Sequence, residues 1–405
     1  MRISDGVYLP AVAGDKCTEC GICLKSCPAY SSEMTELDSK VFGRLPKDAF
    51  LGNFLNCYVG HSNDGEIRFN SSSGGTVTQI LVFALEEGLI DGVLVTRMRK
   101  DSPLEPEPFI ARTKEEVVSA SKSKYCPVPL NEALKAILSA EEGRFAVVGL
   151  PCHIRGIRKA ESVLGNLKDR IRLHVGLFCS HTVSFFGTDL LLRKFGVRKE
   201  DLVKIDYRGM GWPGYMRLQL RSGKELVVKY NRGWNAYWNV FSPHFFTPLA
   251  CLVCSDQSNE LADVSIGDAW FQELVNRGMG ESIIISRTTF AEELLANAEN
   301  KGNLFLQNVS ADKVKASQRF GLIFKKRDLP HRFSFFRVLG EIRLASILTK
   351  RSFSYMSLIA GFFPYLSYRL SSNSCSRHLL CYVPLSLFRL YSGFFRVVFY
   401  LTLRE

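Results

Sequence analysis

Arg144-Phe145-Ala146-Val147-Val148-Gly149-Leu150-Pro151-Cys152-His153 is a short, unbroken apolar run that stops at a proline and a cysteine. A run of this length without polar alternation reads as a strand buried on both faces, the habit of parallel sheets. On its downstream side, Ile154 to Leu164 reads as a helix and Arg170 to Phe178 as a second buried strand. Cys179 closes that strand, and Phe185 to Phe195 reads as another helix. Strand–helix alternation of this kind predicts parallel pairing, at least locally. Ligands in such sheets gather beyond the carboxyl ends of the strands, where this reading puts Cys152 and Cys179. Cysteines in such positions are also often small buried hydrophobes.

The pattern extends upstream through a helix over Val77 to Leu89, a strand over Asp91 to Thr96 and a helix over Leu130 to Ala140. Residues 101–108, with three prolines, read as a loop, and residues 29–56 as a polar connector. Downstream, Val203 to Tyr207, Tyr215 to Leu220 and Glu225 to Tyr230 read as strands, the last two joined by the turn Arg221-Ser222-Gly223-Lys224. Cys251-Leu252-Val253-Cys254 follows. A C-x2-C knuckle needs two further ligands to complete a tetrathiolate set, and Cys152 and Cys179 are the candidates.

Near the start of the chain, Cys17, Cys20, Cys23 and Cys27 form the pattern C-x2-C-x2-C-x3-C-P. That is the run by which bacterial ferredoxins hold a 4Fe–4S cluster. Thiolates at two-residue intervals wrap one loop around a cubane, and Gly21 lets the backbone approach its sulfides. Structural zinc usually takes two well-separated cysteine pairs, so zinc is the weaker reading. In two-cluster ferredoxins the fourth cysteine of the run serves the other cluster. The fourth ligand here is therefore either Cys27 or Cys57.

The 405 residues carry a formal charge of +12, with 46% hydrophobic and 23% charged residues. That composition is globular, and the basic excess suits an anionic partner. Without a nucleic-acid module or a block of like charge, nucleic acid is not expected. Met1-Arg2-Ile3-Ser4-Asp5-Gly6 has no apolar signal core, so a cytoplasmic location is expected, with the twelve cysteines as ligands rather than disulfides. Asn70-Ser71-Ser72-Ser73-Gly74-Gly75-Thr76-Val77-Thr78 opens onto the first helix. Bare N–H groups at such a helix start suit a phosphate or the polar edge of a flavin, although an ordinary turn explains the glycines equally well.

Taken in order, Ser72-Ser73-Gly74-Gly75-Thr76-Val77-Thr78, Leu150-Pro151-Cys152-His153, Gly156-Ile157-Arg158-Lys159, Gly176-Leu177-Phe178-Cys179, Cys251-Leu252-Val253-Cys254 and Ala262-Asp263-Val264-Ser265-Ile266-Gly267-Asp268 resemble the beta subunit family of coenzyme factor 420 hydrogenases and dehydrogenases. The resemblance spans about residues 17–290. It implies a 4Fe–4S cluster on Cys152, Cys179, Cys251 and Cys254 beside an FAD. Ser72, Ser73, Gly74, Gly75, Thr76 and Thr78 would line the flavin, and Lys124 would be a further flavin-side residue. It implies an 8-hydroxy-5-deazaflavin coenzyme as substrate. Hydride would pass between that coenzyme and FAD, and single electrons would pass through two clusters to a partner protein. A ferredoxin-dependent reductase of a small conjugated molecule and a non-catalytic electron-transfer adaptor are the rival readings. No general acid is identifiable. His153 and His181 read as packing groups, and Cys57 and Cys126 as structural.

The expected fold mixes α+β and α/β character. It has a ferredoxin-like N-terminus over 1–50 and a flavin-binding part over 51–135. A second cluster-binding part over 136–320 completes a central mixed sheet flanked by helices with strand hairpins, and 321–405 forms a helical tail. Residues 340–405 hold eight Lys or Arg and two acids. Ser352 to Tyr368 is uncharged but interrupted by Pro364, at the short limit for a membrane span. Arg389 and Arg396 stand seven apart in the apolar stretch Leu379 to Leu403, on one helix face. The tail is read as a helix at a membrane interface or on a partner, rather than as a cap on the chain's own core.

Overall fold

The computed structural model describes residues 1–30, 34–230, 236–274, 277–341 and 355–402. Its centre is one eight-stranded sheet. In chain order the strands are β1 (Asn56–Ser62), β2 (Gly92–Met98), β3 (Pro106–Ala111), β4 (Phe145–Gly149), β5 (Ile171–Leu177), β6 (Val264–Asp268), β7 (Ser282–Ser286) and β8 (Leu304–Asn308). Their order across the sheet is β8-β1-β7-β6-β5-β4-β2-β3. The middle four, β2, β4, β5 and β6, run parallel, while β3, β7, β1 and β8 join antiparallel. Parallel pairing is thus confined to the centre.

The apolar runs are explained by burial on both faces. Val93 and Val95 of β2 point into a core with Ile80, Val82 and Phe83 of helix α1 (Thr76–Glu86). Leu94 points the other way, toward Ile154 and Ile157 of helix α2 (Pro151–Glu161). Alternate residues of one strand therefore each remove apolar area from water, at about 25 cal/mol per Å².

Two expectations are corrected here. The proline-rich stretch contributes Pro106 and Pro108 to β3, which pairs with β2 alone. An edge strand has N–H positions with nothing to bond, so proline is tolerated there. The connector contains a helix, Met34–Phe42, that buries Leu37. Beside the main sheet, Leu202–Asp206, Tyr215–Leu220 and Glu225–Lys229 form a small antiparallel sheet. The N-terminus has a hairpin, Arg2–Ser4 with Val7–Leu9, then a one-turn helix, Ile22–Lys25, inside the cysteine run.

The tail is helical and packs on the chain's own core, as in the alternative cap reading. Helix α3 (Ala236–Phe241) meets the last helix, and Phe245, Leu380 and Phe388 share one buried cluster. The tail helices are α4 (Tyr355–Ser372), α5 (Ser374–Leu380) and α6 (Leu385–Thr402). Gly361 of α4 crosses Leu329–Val338 so closely that a Cβ would sit 2.5 Å from the Phe335 ring. Among the described residues, no helix is long and apolar enough to cross a membrane. The parts of the two apolar tail stretches at 352–354 and 403 lie outside the described residues.

Candidate functional site

The carboxyl ends of β2, β4, β5 and β6 open into a cavity of about 1050 Å³. Val95, Gly149, Leu177 and Gly267 line it from the sheet, and Ser72, Ser73, Gly75, Thr76 and Thr78 from the loop that starts α1. That loop is built rather than slack. Ser72 Oγ accepts from the Ser123 N–H, Ser73 Oγ donates to the Glu281 carbonyl, and the Gly74 N–H donates to Ser282 Oγ. A Cβ on Gly74 would stand 2.6 Å from the Gly60 carbonyl oxygen, so β1 and the loop approach through a bare backbone. Gly75, at φ 76°, caps α1 without a side-chain bond, which leaves first-turn N–H groups toward the cavity. Thr76 is 1% exposed, and its hydroxyl has no partner among the described residues. An orphaned buried hydroxyl beside bare N–H groups fits a polar ligand edge such as a flavin's.

Lys124 also lines the cavity, but its ammonium is committed. It donates to the carbonyls of Ser121 at 2.7 Å and Lys122 at 3.0 Å, and to that of Ala120. Burial lowers its pKa to about 7, while the three carbonyls favour the charged form. These bonds hold the 120–124 loop in place at the cavity wall. His153, which lies at the wall, accepts from the Leu150 N–H through Nδ1, and burial lowers its pKa to about 4. His181 is likewise lowered to about 4 by burial. Both are neutral near neutral pH, and both line the cavity. Burial pushes Cys126 up to about 12 and Cys57 up to about 11, as for structural thiols. Cys57 sits in a core cluster with Leu51, Val59 and Ile283.

Cys152 lies in the first turn of α2, Cys179 just beyond β5, and Cys251 in the one-turn helix Leu249–Leu252, with Cys254 two residues past its end. The fold gathers these four positions. The Cys152 side chain reaches the surface while Cys179, Cys251 and Cys254 are partly buried. Partial desolvation of its sulfur, with the crowding of the other three sulfurs around it, raises Cys152 above the usual thiol range. Burial pushes Cys179 up to about 12, with Cys251 and Cys254 again contributing. Among the described residues, no three His, Cys, Asp or Glu converge tightly enough for a single metal ion. A four-iron cube is larger than one ion and is held by thiolates that stand farther apart, so the donor set suits a cluster.

A residue missed in the sequence completes this group. Lys325 is 1% exposed, and its ammonium donates to Cys254 Sγ at 3.4 Å and to the Asp256 carbonyl at 2.7 Å. Burial opposes its charge, but Cys254, Cys179 and Cys251 overrule it and hold Lys325 protonated. The wide turn Ile323–Arg327 directs it inward. Such π turns often mark functional sites. In the sequence Lys325-Lys326-Arg327 looks like a solvated basic run, and no local signal separates the first lysine. Arg208 was also missed. It is buried at the cavity wall and ion-paired with Asp268.

Cys17, Cys20 and Cys23 are exposed and Cys27 is partly buried. Gly21, at φ 70°, makes the turn between them. Hydrogen bonds from the backbone of Ile22 and from Thr18 lower the Cys20 thiol. The loop rests on α2: Lys159 donates to the carbonyls of Cys27 at 2.6 Å and Tyr30 at 2.5 Å. Arg155, one turn after Cys152, feels both Cys254 and Cys27.

Comparison with known proteins gives two family matches. Residues 57–135 match the model described as coenzyme F420 hydrogenase/dehydrogenase, beta subunit N-term, and residues 142–312 the corresponding C terminus. The coenzyme F420 hydrogenase subunit beta of Methanosarcina barkeri is 29% identical over 246 residues, covering 58% of this chain and 80% of that protein. The coenzyme F420-dependent sulfite reductase of Methanocaldococcus jannaschii is 27% identical over 314 residues, or 74% of this chain and 44% of that protein. Among solved structures, a chain of the F420-reducing NiFe hydrogenase complex of Methanosarcina barkeri aligns with a TM-score of 0.56 at 24% identity, covering 71% of this chain and 95% of that one. That likeness is one of fold.

Proposed function

The chain belongs to the coenzyme F420 hydrogenase/dehydrogenase beta-subunit family, and from that premise we propose an oxidoreductase that exchanges electrons between a deazaflavin-type hydride carrier and one-electron acceptors. Its relatives in hydrogenase and sulfite reductase systems support an oxidoreductase or electron-transfer subunit linked to that coenzyme. In the finer reading, Cys152, Cys179, Cys251 and Cys254 hold one 4Fe–4S cluster, and Cys17, Cys20, Cys23 and Cys27 hold another. Ser72, Ser73, Gly74, Gly75, Thr76 and Thr78 receive FAD. The clusters supply one-electron transfer, and the flavin supplies exchange between one- and two-electron chemistry.

The observation that carries the reading is a buried lysine 3.4 Å from Cys254 Sγ, lining, together with Cys179, a cavity of about 1050 Å³. An adaptor that only relays electrons needs no such cavity, which favours an enzyme. Within this reading the chain's own groups have separate tasks. The Thr76 hydroxyl and the first-turn N–H groups of α1 bind and orient a polar ring edge. The Lys325 ammonium offsets negative charge on the sulfurs. Electrons leave toward a partner protein or complex.

The tail adds a contact surface. Leu387, Leu390, Phe394 and Val397 of α6 are each more than half exposed and fall at helical spacing along one stripe. Residues 355–402 contain no acid, and of their four arginines Arg396 faces the cavity and Arg369 pairs with Glu341, so the basic contribution to that surface comes from Arg377 and Arg389. We read this as peripheral contact with an anionic membrane surface.

The test is composition. Anaerobic protein is expected to show flavin absorbance and about eight irons per chain, as for two cubanes. Iron near four, or stoichiometric zinc, would refute it.

A further inference from the structure

The family-matched segments end at residue 312, but the cavity wall continues beyond them. Phe320 and Phe324 line the cavity, and so do Phe395, Arg396, Phe399 and Tyr400 of α6. The Phe320 ring lies 5.8 Å from that of Phe399 and 5.1 Å from that of Tyr400. Trp238 and Trp270, which also line the cavity, stand edge to face at 5.9 Å. Helix α6 is anchored there by Phe388, 2% exposed, and by Ser392, fully buried. The wall is therefore fixed in place.

Arg396 sets the charge of this end. Its Nη2 donates to Asn239 Oδ1 at 3.4 Å and to Ser392 Oγ at 3.2 Å, both neutral acceptors. Among the described residues no carboxylate pairs with it. A guanidinium has five donors, so capacity remains for an anion. Lys325 is already engaged by Cys254 and does not compete.

We propose that this end of the cavity is a subsite for a flat, conjugated anion, with α6 as the wall that selects it. Aromatic faces and edges accept a planar π-system, and Arg396 fixes its acidic group by a charge-assisted bond. The inference rests on the proposed function only in taking the other end of the cavity as the flavin's. The tail then decides which molecule reaches the cofactor, and it does so with residues outside the family core.

The test uses the full chain with FAD saturating, and titrates three probes by calorimetry. These are naphthalene-2-sulfonate (flat and anionic), 2-naphthol (flat and neutral at pH 7) and cyclohexanesulfonate (anionic without a π face). Naphthalene-2-sulfonate is expected to bind tightest. Arg396→Gln is expected to weaken it about tenfold or more and to leave 2-naphthol unchanged. Tyr400→Leu, at an exposed position that does not threaten folding, is expected to weaken both aromatic probes. The subsite is refuted if Arg396→Gln changes naphthalene-2-sulfonate binding less than twofold, or if cyclohexanesulfonate binds as well. Flavin and iron measured on the same preparations separate the two failures. Absent cofactors with intact probe selectivity would refute the proposed function alone. Intact cofactors without selectivity would refute the subsite alone.

Discussion

Replacing Lys325 by methionine tests the thiol set most directly. The ammonium stands 3.4 Å from Cys254 Sγ and is 1% exposed. At an effective dielectric of 20, two unit charges at that distance attract by roughly 5 kcal/mol. Burying the ammonium cancels much of this, and a hydrogen bond to a charged group nets about 1.5–3 kcal/mol. Reduction of a centre on these sulfurs adds negative charge, so a cation favours the reduced form. Losing the cation therefore lowers the midpoint potential. For a one-electron centre, 59 mV corresponds to about 1.4 kcal/mol, so the expected drop is about 60–130 mV. An anaerobic redox titration followed by electron paramagnetic resonance reads it, with Lys325→Arg as the charge-retaining control. A midpoint within about 20 mV of wild type in Lys325→Met would refute the role given to this lysine, since even the low end of the charged-bond range exceeds that margin.

Further outcomes follow from other residues. Thr76→Val removes a buried hydroxyl without a protein partner. FAD affinity is expected to fall about two- to tenfold by fluorescence titration, with the stability of the flavin-free chain unchanged or raised. His153 has a folded pKa near 4, against 6.5 for an ordinary histidine. The unfolded chain therefore takes up its proton first, and stability falls as pH drops from about 6.5 to about 4, by at most about 3 kcal/mol for this group. Urea midpoints across that range should show a shallower fall in His153→Gln. For the tail, Leu390→Glu with Phe394→Glu is expected to abolish co-sedimentation with vesicles containing phosphatidylglycerol. Binding that survives the double change would refute membrane contact through that stripe.

The central strands were legible because burial on both faces leaves apolar runs such as Phe145 to Gly149, whose position between two strands needs no polar residue. The convergence of Cys152, Cys179, Cys251 and Cys254 was only partly legible, because the C-x2-C knuckle announces a ligand pair while the other two thiols come from separate strand ends. The edge strand β3 was not, because its prolines are tolerated only at the last place in the sheet, which local sequence does not encode. Lys325 was hidden for a related reason: one wide helical turn decides whether it faces solvent or sulfur. The tail was half legible. Helix α6 is apolar nearly all round, so its composition could not say that Phe388 packs inward while Leu390 stays outside.

Helix α2 carries a consequence for the distance between the two cysteine groups. Cys152 belongs to one group at its first turn, and Lys159 clamps the carbonyl of Cys27 from the other, seven residues on. At 1.5 Å per residue that is about 10 Å of rigid rod. One continuous helix thus carries a member of one group and the seat of the other. One residue inserted between 152 and 159 would swing Lys159 about 100° around the rod and away from the Cys27 carbonyl.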